Sequence, residues 1–163
     1  FGFTACGQTT VFPNADNTIT VDFQGDVALA APSQVTISGL LNAQTPDNAS
    51  LAITVASSPN IFGAFGAWTQ ATGTLILTSI SGIDAGSRHR VSFTLVNPSD
   101  GQTAQQVTIG ASGGSVTVAS DPMTPREGNA APMLVGGFRT RSVGQSSPCP
   151  SAWNTLTLTL NMY

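Results

Sequence analysis

Residues Gly110-Ala111-Ser112-Gly113-Gly114 match the nucleophile-elbow pattern of hydrolases. That chemistry needs a strand before the serine, a helix after it, and a histidine and an acid brought close. Here the pattern runs on into Ser115-Val116-Thr117-Val118, which alternates like a strand, so the five residues read as a tight hairpin loop. His89 is the only histidine and stands between Arg88 and Arg90. Neighbouring cations lower its proton affinity and suit a general base poorly, so a solvated strand start is the expected reading. One histidine and two cysteines make no zinc constellation. Asp16, Asp22 and Asp26 are spaced too widely for an EF-hand-type loop, which leaves only Asp16 with loop carbonyls as a candidate for structural calcium. No Gly-rich phosphate cradle follows a strand and opens a helix. Neither catalysis nor a cofactor or metal is the expectation.

Covalent chemistry has better candidates. Cys6 and Cys149 are candidates for a disulfide in an oxidising setting, either as a staple joining the terminal segments or as a bond between neighbouring subunits. The sequon Asn48-Ala49-Ser50 follows a Thr-Pro-Asp turn, where a glycan would face solvent. Ser146-Ser147-Pro148-Cys149-Pro150 has the composition that carries O-linked sugars.

The elements that position these groups must be soluble almost without charge. Of 163 residues, 8% are charged, with five Arg and no Lys, where a soluble domain usually has about 25%. Instead, 21 Thr and 17 Ser, with 17 Gly and 10 Pro, supply a neutral polar surface. A net charge of −3 gives no footprint for a phosphate backbone, so nucleic acid is excluded as a partner, and anionic membranes are disfavoured. No apolar run approaches the roughly 20 residues of a membrane span. The first residue is Phe1, with neither an initiator Met nor a signal-like segment, which reads as a processed product or a piece of something longer.

Thr, Val, Ile and Leu alternate with the period of half-buried strands in nine runs. These are Ile19–Phe23, Gln34–Ile37, Leu51–Val55, Gly73–Ile80, Arg90–Val96, Gln105–Ile109, Val116–Ala119, Leu134–Phe138 and Asn154–Leu160. Turn chemistry such as Thr45-Pro46-Asp47-Asn48 and Asn97-Pro98-Ser99-Asp100-Gly101 separates them. No window reads as a helix. The expected fold is an all-β antiparallel sandwich, Ig-like or jelly-roll in style, of about nine strands. Its core is expected from Ile19, Val21, Phe23, Val35, Ile37, Leu51, Ile53, Val55, Leu75, Leu77, Val91, Phe93, Leu95, Val107 and Ile109, with Trp68 as a plug.

One pattern is longer than a strand. Gly7 to Val21 recurs without a gap as Gly144 to Leu158, with seven of 15 positions identical, at an offset of 137 residues that also sets Phe1 on Phe138. The last 26 residues therefore replay the first 26, as a tandem repeat cut beyond one period would. The chain divides into a single module over residues 1–143 and a terminal strand segment, 144–163, that repeats 7–26.

The repeated segment ends in Leu156-Thr157-Leu158-Thr159-Leu160. This is either the last strand of its own sandwich, or a donor strand that completes the sheet of the next subunit. Burying the three Leu contributes about 1.5–3 kcal/mol each, against about 1–2 kcal/mol per residue for ordering the chain, so donation is feasible. Head-to-tail exchange does not close and propagates as a fibre.

Three stretches resemble a tandem module of very large extracellular proteins of algae, other protists and microbial surfaces. They are Gly7-Gln8-Thr9-Thr10 with Pro13, Ala15 and Asn17-Thr18-Ile19-Thr20-Val21; Val35-Thr36-Ile37-Ser38-Gly39-Leu40 with Gln44 to Leu51; and Trp68 to Thr78 leading to Val91-Ser92-Phe93-Thr94-Leu95-Val96-Asn97-Pro98. The resemblance implies an extracellular β-sandwich building block with no catalytic residues. The chain also resembles, in architecture, the subunits of helical surface fibrils assembled by strand complementation.

The leading expectation is thus a structural, extracellular homopolymer subunit. Leu156, Leu158, Leu160, Trp153 and Tyr163 would lie in the subunit interface, with Phe1, Phe3 and Ile19 in the matching terminal segment. The alternative is a carbohydrate-binding repeat of a cell-surface adhesin, with Trp153 and Tyr163 as stacking platforms for glycans.

Overall fold

A computed structural model describes residues 1–126 and 131–162. Among them there is no helix, and every regular element is a strand. Twelve strands form where nine runs are expected. They are β1 (Phe3–Gln8), β2 (Asp16–Gln24), β3 (Ser33–Ser38), β4 (Asn48–Val55), β5 (Phe65–Thr69), β6 (Thr74–Thr78), β7 (Arg88–Val96), β8 (Thr108–Gly113), β9 (Val116–Pro122), β10 (Thr124–Pro125), β11 (Phe138–Gln145) and β12 (Leu156–Met162).

Ten of them make one mixed sheet in the order β10-β1-β2-β7-β4-β5-β6-β3-β8-β9. All of its pairings are antiparallel except β1 with β10. Strand β4 serves both halves, since Asn48, Leu51 and Ala52 pair with β5 while Ile53 to Val55 pair with β7. The two halves share one core, and the sheet curls into a nearly barrel-like form.

The alternating residues do what the period demands. Ile19, Val21 and Phe23 of β2, Val91, Phe93 and Leu95 of β7, and Val35, Ile37, Leu75, Leu77 and Ile109 of the other half are all buried in that core. Trp68 is buried too, and its indole N–H donates to the Thr45 carbonyl at 2.9 Å. Of the expected core, Val55 is only half-buried. Loop residues that have no strand period complete it: Leu29, Leu40, Ile61, Phe62, Ile83 and Met133. Gly73 makes the β5–β6 turn at a φ of +59°, and a Cβ there would stand 2.6 Å from the Leu40 carbonyl carbon, so no larger side chain fits.

Two expectations need correction. Leu134–Phe138 is not a strand: Val135 makes one isolated bridge to Gln102, and Phe138 already opens β11. Its role is to tie residues 131–136 beneath the Gln102 loop. Residues Gly110–Gly113 belong to β8, with the turn at Gly114 and Ser115, and Ser112 is paired with Gln34 and Thr117.

Candidate interface at the repeated hairpin

Strands β11 and β12 form a separate two-stranded sheet, and among the described residues neither pairs with the ten-stranded one. The terminal segment is thus a hairpin opening at Phe138, of which the strand beginning near Asn154 is only the second half. Its register is that of β1 with β2 moved by the repeat offset. Gln8 faces Ile19, Cys6 faces Val21 and Thr4 faces Phe23; Gln145 faces Leu156, Val143 faces Leu158 and Arg141 faces Leu160.

The connecting loop repeats as well. In the first hairpin, Asn17 Oδ1 accepts from the amides of Thr9 at 3.0 Å and Thr10 at 3.3 Å, and Asn17 Nδ2 donates to Gln8 Oε1 at 3.0 Å. In the second, Asn154 Oδ1 accepts from Ser146 at 3.1 Å and Ser147 at 3.2 Å, and its Nδ2 donates to Gln145 Oε1 at 3.1 Å. Thr18 N donates to Thr9 Oγ1, and Thr155 N to Ser146 Oγ. Asn14 and Ser151 occupy matching places in the left-handed region, at φ 56° and 61°. The loops hold their shape with their own side chains, which is why the sequence repeat carries a structural one.

What differs is cover. Ile19 and Val21 are 0% and Phe23 1% exposed, whereas Leu156, Leu158 and Leu160 are 70%, 66% and 49% exposed. Val143 and Met162 share this exposure, and Trp153 is fully exposed. Such an exposed apolar face on one hairpin makes it the candidate interaction surface of the chain.

The first hairpin shows what such a face packs against. Strand β2 pairs along its whole length with β7, from Asp16 opposite Val96 to Gln24 opposite Arg88. Asn17 Nδ2 also donates to Asn97 Oδ1 at 2.8 Å, and Asn97 Nδ2 donates to the Phe12 carbonyl at 3.0 Å, with all three side-chain groups buried. Gln8 Nε2 donates to the Leu134 carbonyl at 2.9 Å. Asp22 accepts from Arg90 at 2.5 Å and pairs with Arg126 at 3.0 Å. None of these partners is at hand for the second hairpin. The sequence reading missed Gln8, Asn17 and Asn97, although Gln and Asn at those places recur as Gln145 and Asn154.

The remaining candidates scatter. Ile19 is a core residue of its own module; Phe1 packs edge-on against Phe23 and its ammonium pairs with Asp26 at 3.3 Å; Arg88 lies over the ring of Phe3. Tyr163 lies outside the described residues. Cys6 is buried, its thiol pushed up to about 12 by desolvation and by the Asp22 charge, while Cys149 is exposed in the hairpin loop, and both thiols are free within the chain. Asn48 is exposed at the start of β4. Asp16 is exposed, and no group of three metal-ligating side chains occurs among the described residues.

His89 is not the solvated residue expected. It is buried against Phe23 and Phe62, at ring distances of 5.3 and 6.3 Å, and neither ring nitrogen has a partner. Desolvation lowers its proton affinity, opposed by the Asp84 carboxylate. It borders a cleft of about 280 Å³ with Phe3, Ser57, Arg88 and Arg90. The inward phase of β7, which alternates with Val91 and Phe93, is the signal that would have placed it.

No helix is long and apolar enough to cross a membrane among the described residues. Comparison of the chain with protein-family models and with curated proteins finds no match.

Proposed function

We propose that this chain is a structural subunit of an extracellular fibril, an antiparallel sandwich-like module that joins head to tail with copies of itself by β-strand complementation. One observation carries the reading: an apolar hairpin face repeats a buried element of the same chain yet stands uncovered. Covering Leu156, Leu158 and Leu160 contributes about 1.5–3 kcal/mol each at full burial, so association of preformed hairpins is favourable. The neutral Thr- and Ser-rich surface supports the same reading, because packing subunits together then desolvates few charges. An exposed sequon at Asn48 supports an extracellular, glycan-bearing surface.

Deleting residues 138–163 tests it. Electron microscopy and sedimentation should find fibres from the full chain and soluble monomers from the truncated one. Ordered fibres from the truncated chain overturn the proposal. A second reading, a carbohydrate-binding surface repeat, draws on Trp153, which is fully exposed; Trp153→Ala would then abolish retention on a glycan array while leaving self-association unchanged.

A further inference from the structure

We propose that the exchanged unit is the whole β11–β12 hairpin, and that its seat is the place in a second copy of this chain where that copy's β1–β2 hairpin lies, between β7 and β10. This inference rests on the head-to-tail reading above and gives it a donor and an acceptor. The occupant follows from the repeat. A hairpin with the register, loop hydrogen bonds and left-handed residue of β1–β2 fits the surface that β1–β2 already fits.

Laid in that seat, Leu156 stands on Ile19 opposite Phe93, and Leu158 on Val21 opposite Val91. Leu160 stands on Phe23 and Val143 on Cys6. The changes in volume run in both directions and nearly cancel, the kind of exchange a packed core tolerates. Asn154 meets Asn97 as Asn17 does, and Gln145 reaches the Leu134 carbonyl as Gln8 does. Both polar groups gain the partners that they lack on the free hairpin.

The hairpin cannot take this seat in its own chain with the module intact. Val135 and Gln102, which lies outside the β1–β2 hairpin, exchange both backbone hydrogen bonds at 3.0 Å; Gly136 N donates to the Val11 carbonyl at 2.7 Å, at the Gln8 end of β1, and Met133 and Val135 are fully buried. In the seat, residue 138 must lie where Phe1 lies, at the far end of β1, roughly 20 Å away at about 3.3 Å per residue. Two residues of chain span about 7 Å. The hairpin therefore leaves its module at one end and enters the next at the opposite end. That geometry is heterologous and open, so it propagates.

Each copy carries two such hairpins and one seat. Because the two are near-equivalents, occupancy is decided as chains fold together, when the resident hairpin has not yet docked. One difference favours the resident: Asp22, held by Arg90 and Arg126, is replaced in the second copy by Thr159.

The test uses full chains carrying Cys149→Ser. Thr20 and Ser92 are cross-strand partners with hydroxyls 3.1 Å apart, and Thr157 takes the place of Thr20. A chain with Thr157→Cys and a chain with Ser92→Cys are unfolded together, refolded and oxidised. A chain with both Thr20→Cys and Ser92→Cys, which closes on itself, is the control. The expected product is a dimer linked between positions 157 and 92, identified by peptide mass. Thr159→Asp should raise its yield roughly threefold, the size of a partly exposed ion pair, and Leu158→Asp should abolish it. Closure of the control without any 157–92 bond overturns the seat. Fibres that persist without that bond overturn the seat alone and leave head-to-tail assembly standing. A 157–92 dimer whose double-cysteine version, Thr157→Cys with Ser92→Cys, makes no longer ladder supports the seat and overturns the fibril.

Discussion

Ile19 and Leu156 hold the same place in the two hairpins, so truncating each to alanine should separate what packing does from what sequence does. Ile19 is fully buried between β1 and β7, opposite Gln8 on one side and Phe93 on the other. Removing three carbons there loses their transfer free energy and leaves a cavity in a sheet pinned on both sides, which costs about 3–4 kcal/mol. For a chain of this size that lowers Tm by about 10 °C. Leu156 is 70% exposed, and Leu156→Ala should change monomer stability by less than about 0.5 kcal/mol. In the proposed assembled state the order reverses in part: a seated Leu156 is buried, and its loss of about 2–3 kcal/mol weakens association by roughly 30- to 150-fold. The assays are denaturant unfolding at dilution, where the chain is monomeric, and sedimentation across a concentration series. If Leu156→Ala destabilises the dilute monomer by more than about 1 kcal/mol, the hairpin is packed on its own module and the argument fails.

Asn97→Ala strips the partner of Asn17 and two loop carbonyls at once, and should cost about 2–3 kcal/mol in denaturant unfolding; a neutral result would mean that the loop is not held by this network. His89 binds its proton less readily when folded than the ordinary value of 6.5, so the unfolded chain takes it up first as pH falls. Stability should therefore be retained above about pH 6.5 and decline below it, and His89→Phe should flatten the difference between urea midpoints at pH 5 and pH 7.5. Cys149 should react at once with a chromogenic disulfide reagent and Cys6 only on unfolding, because burial holds the Cys6 thiol protonated, up to about 12.

The strands that the sequence made legible are those with one wet and one dry face. In β2, β3, β6 and β7 the period of two decides everything, and Ile19 to Phe23 or Val91 to Leu95 could be assigned inward from spacing alone. Strand β1 was hidden because Phe-Thr-Ala-Cys-Gly-Gln has no alternation, its last four residues being buried in succession beneath β10 and residues 131–136. The loop contributions of Leu40, Phe62 and Met133 were hidden for the same reason: tertiary packing, not period, buries them. At the hairpin, the offset of 137 marked the segment that repeats in structure but showed one strand too few. Gln145, Ser146 and Asn154 close the loop through side-chain hydrogen bonds, a signal of composition and geometry with no hydrophobic period.

On the proposed assembly, the second hairpin stands in water before it docks, and its differences from the first can be read against that. Strand β1 has no charged residue, whereas β11 holds Arg139 and Arg141, two of the five cations in the whole chain. Phe3 and Phe23, which the resident hairpin keeps sheltered, become Thr140 and Leu160. The cations of β11 act against indiscriminate edge pairing, while Asp16 and Asp22 of the first hairpin become Trp153 and Thr159. The leucines at 156 and 158 keep the inward pattern of Ile19 and Val21, and Asn154 and Gln145 keep the polar pair that Asn97 and the Leu134 carbonyl would read. A chain almost free of charge thus carries two Arg on a hairpin that stands uncovered among the described residues, and keeps on it the residues that the proposed seat would recognise.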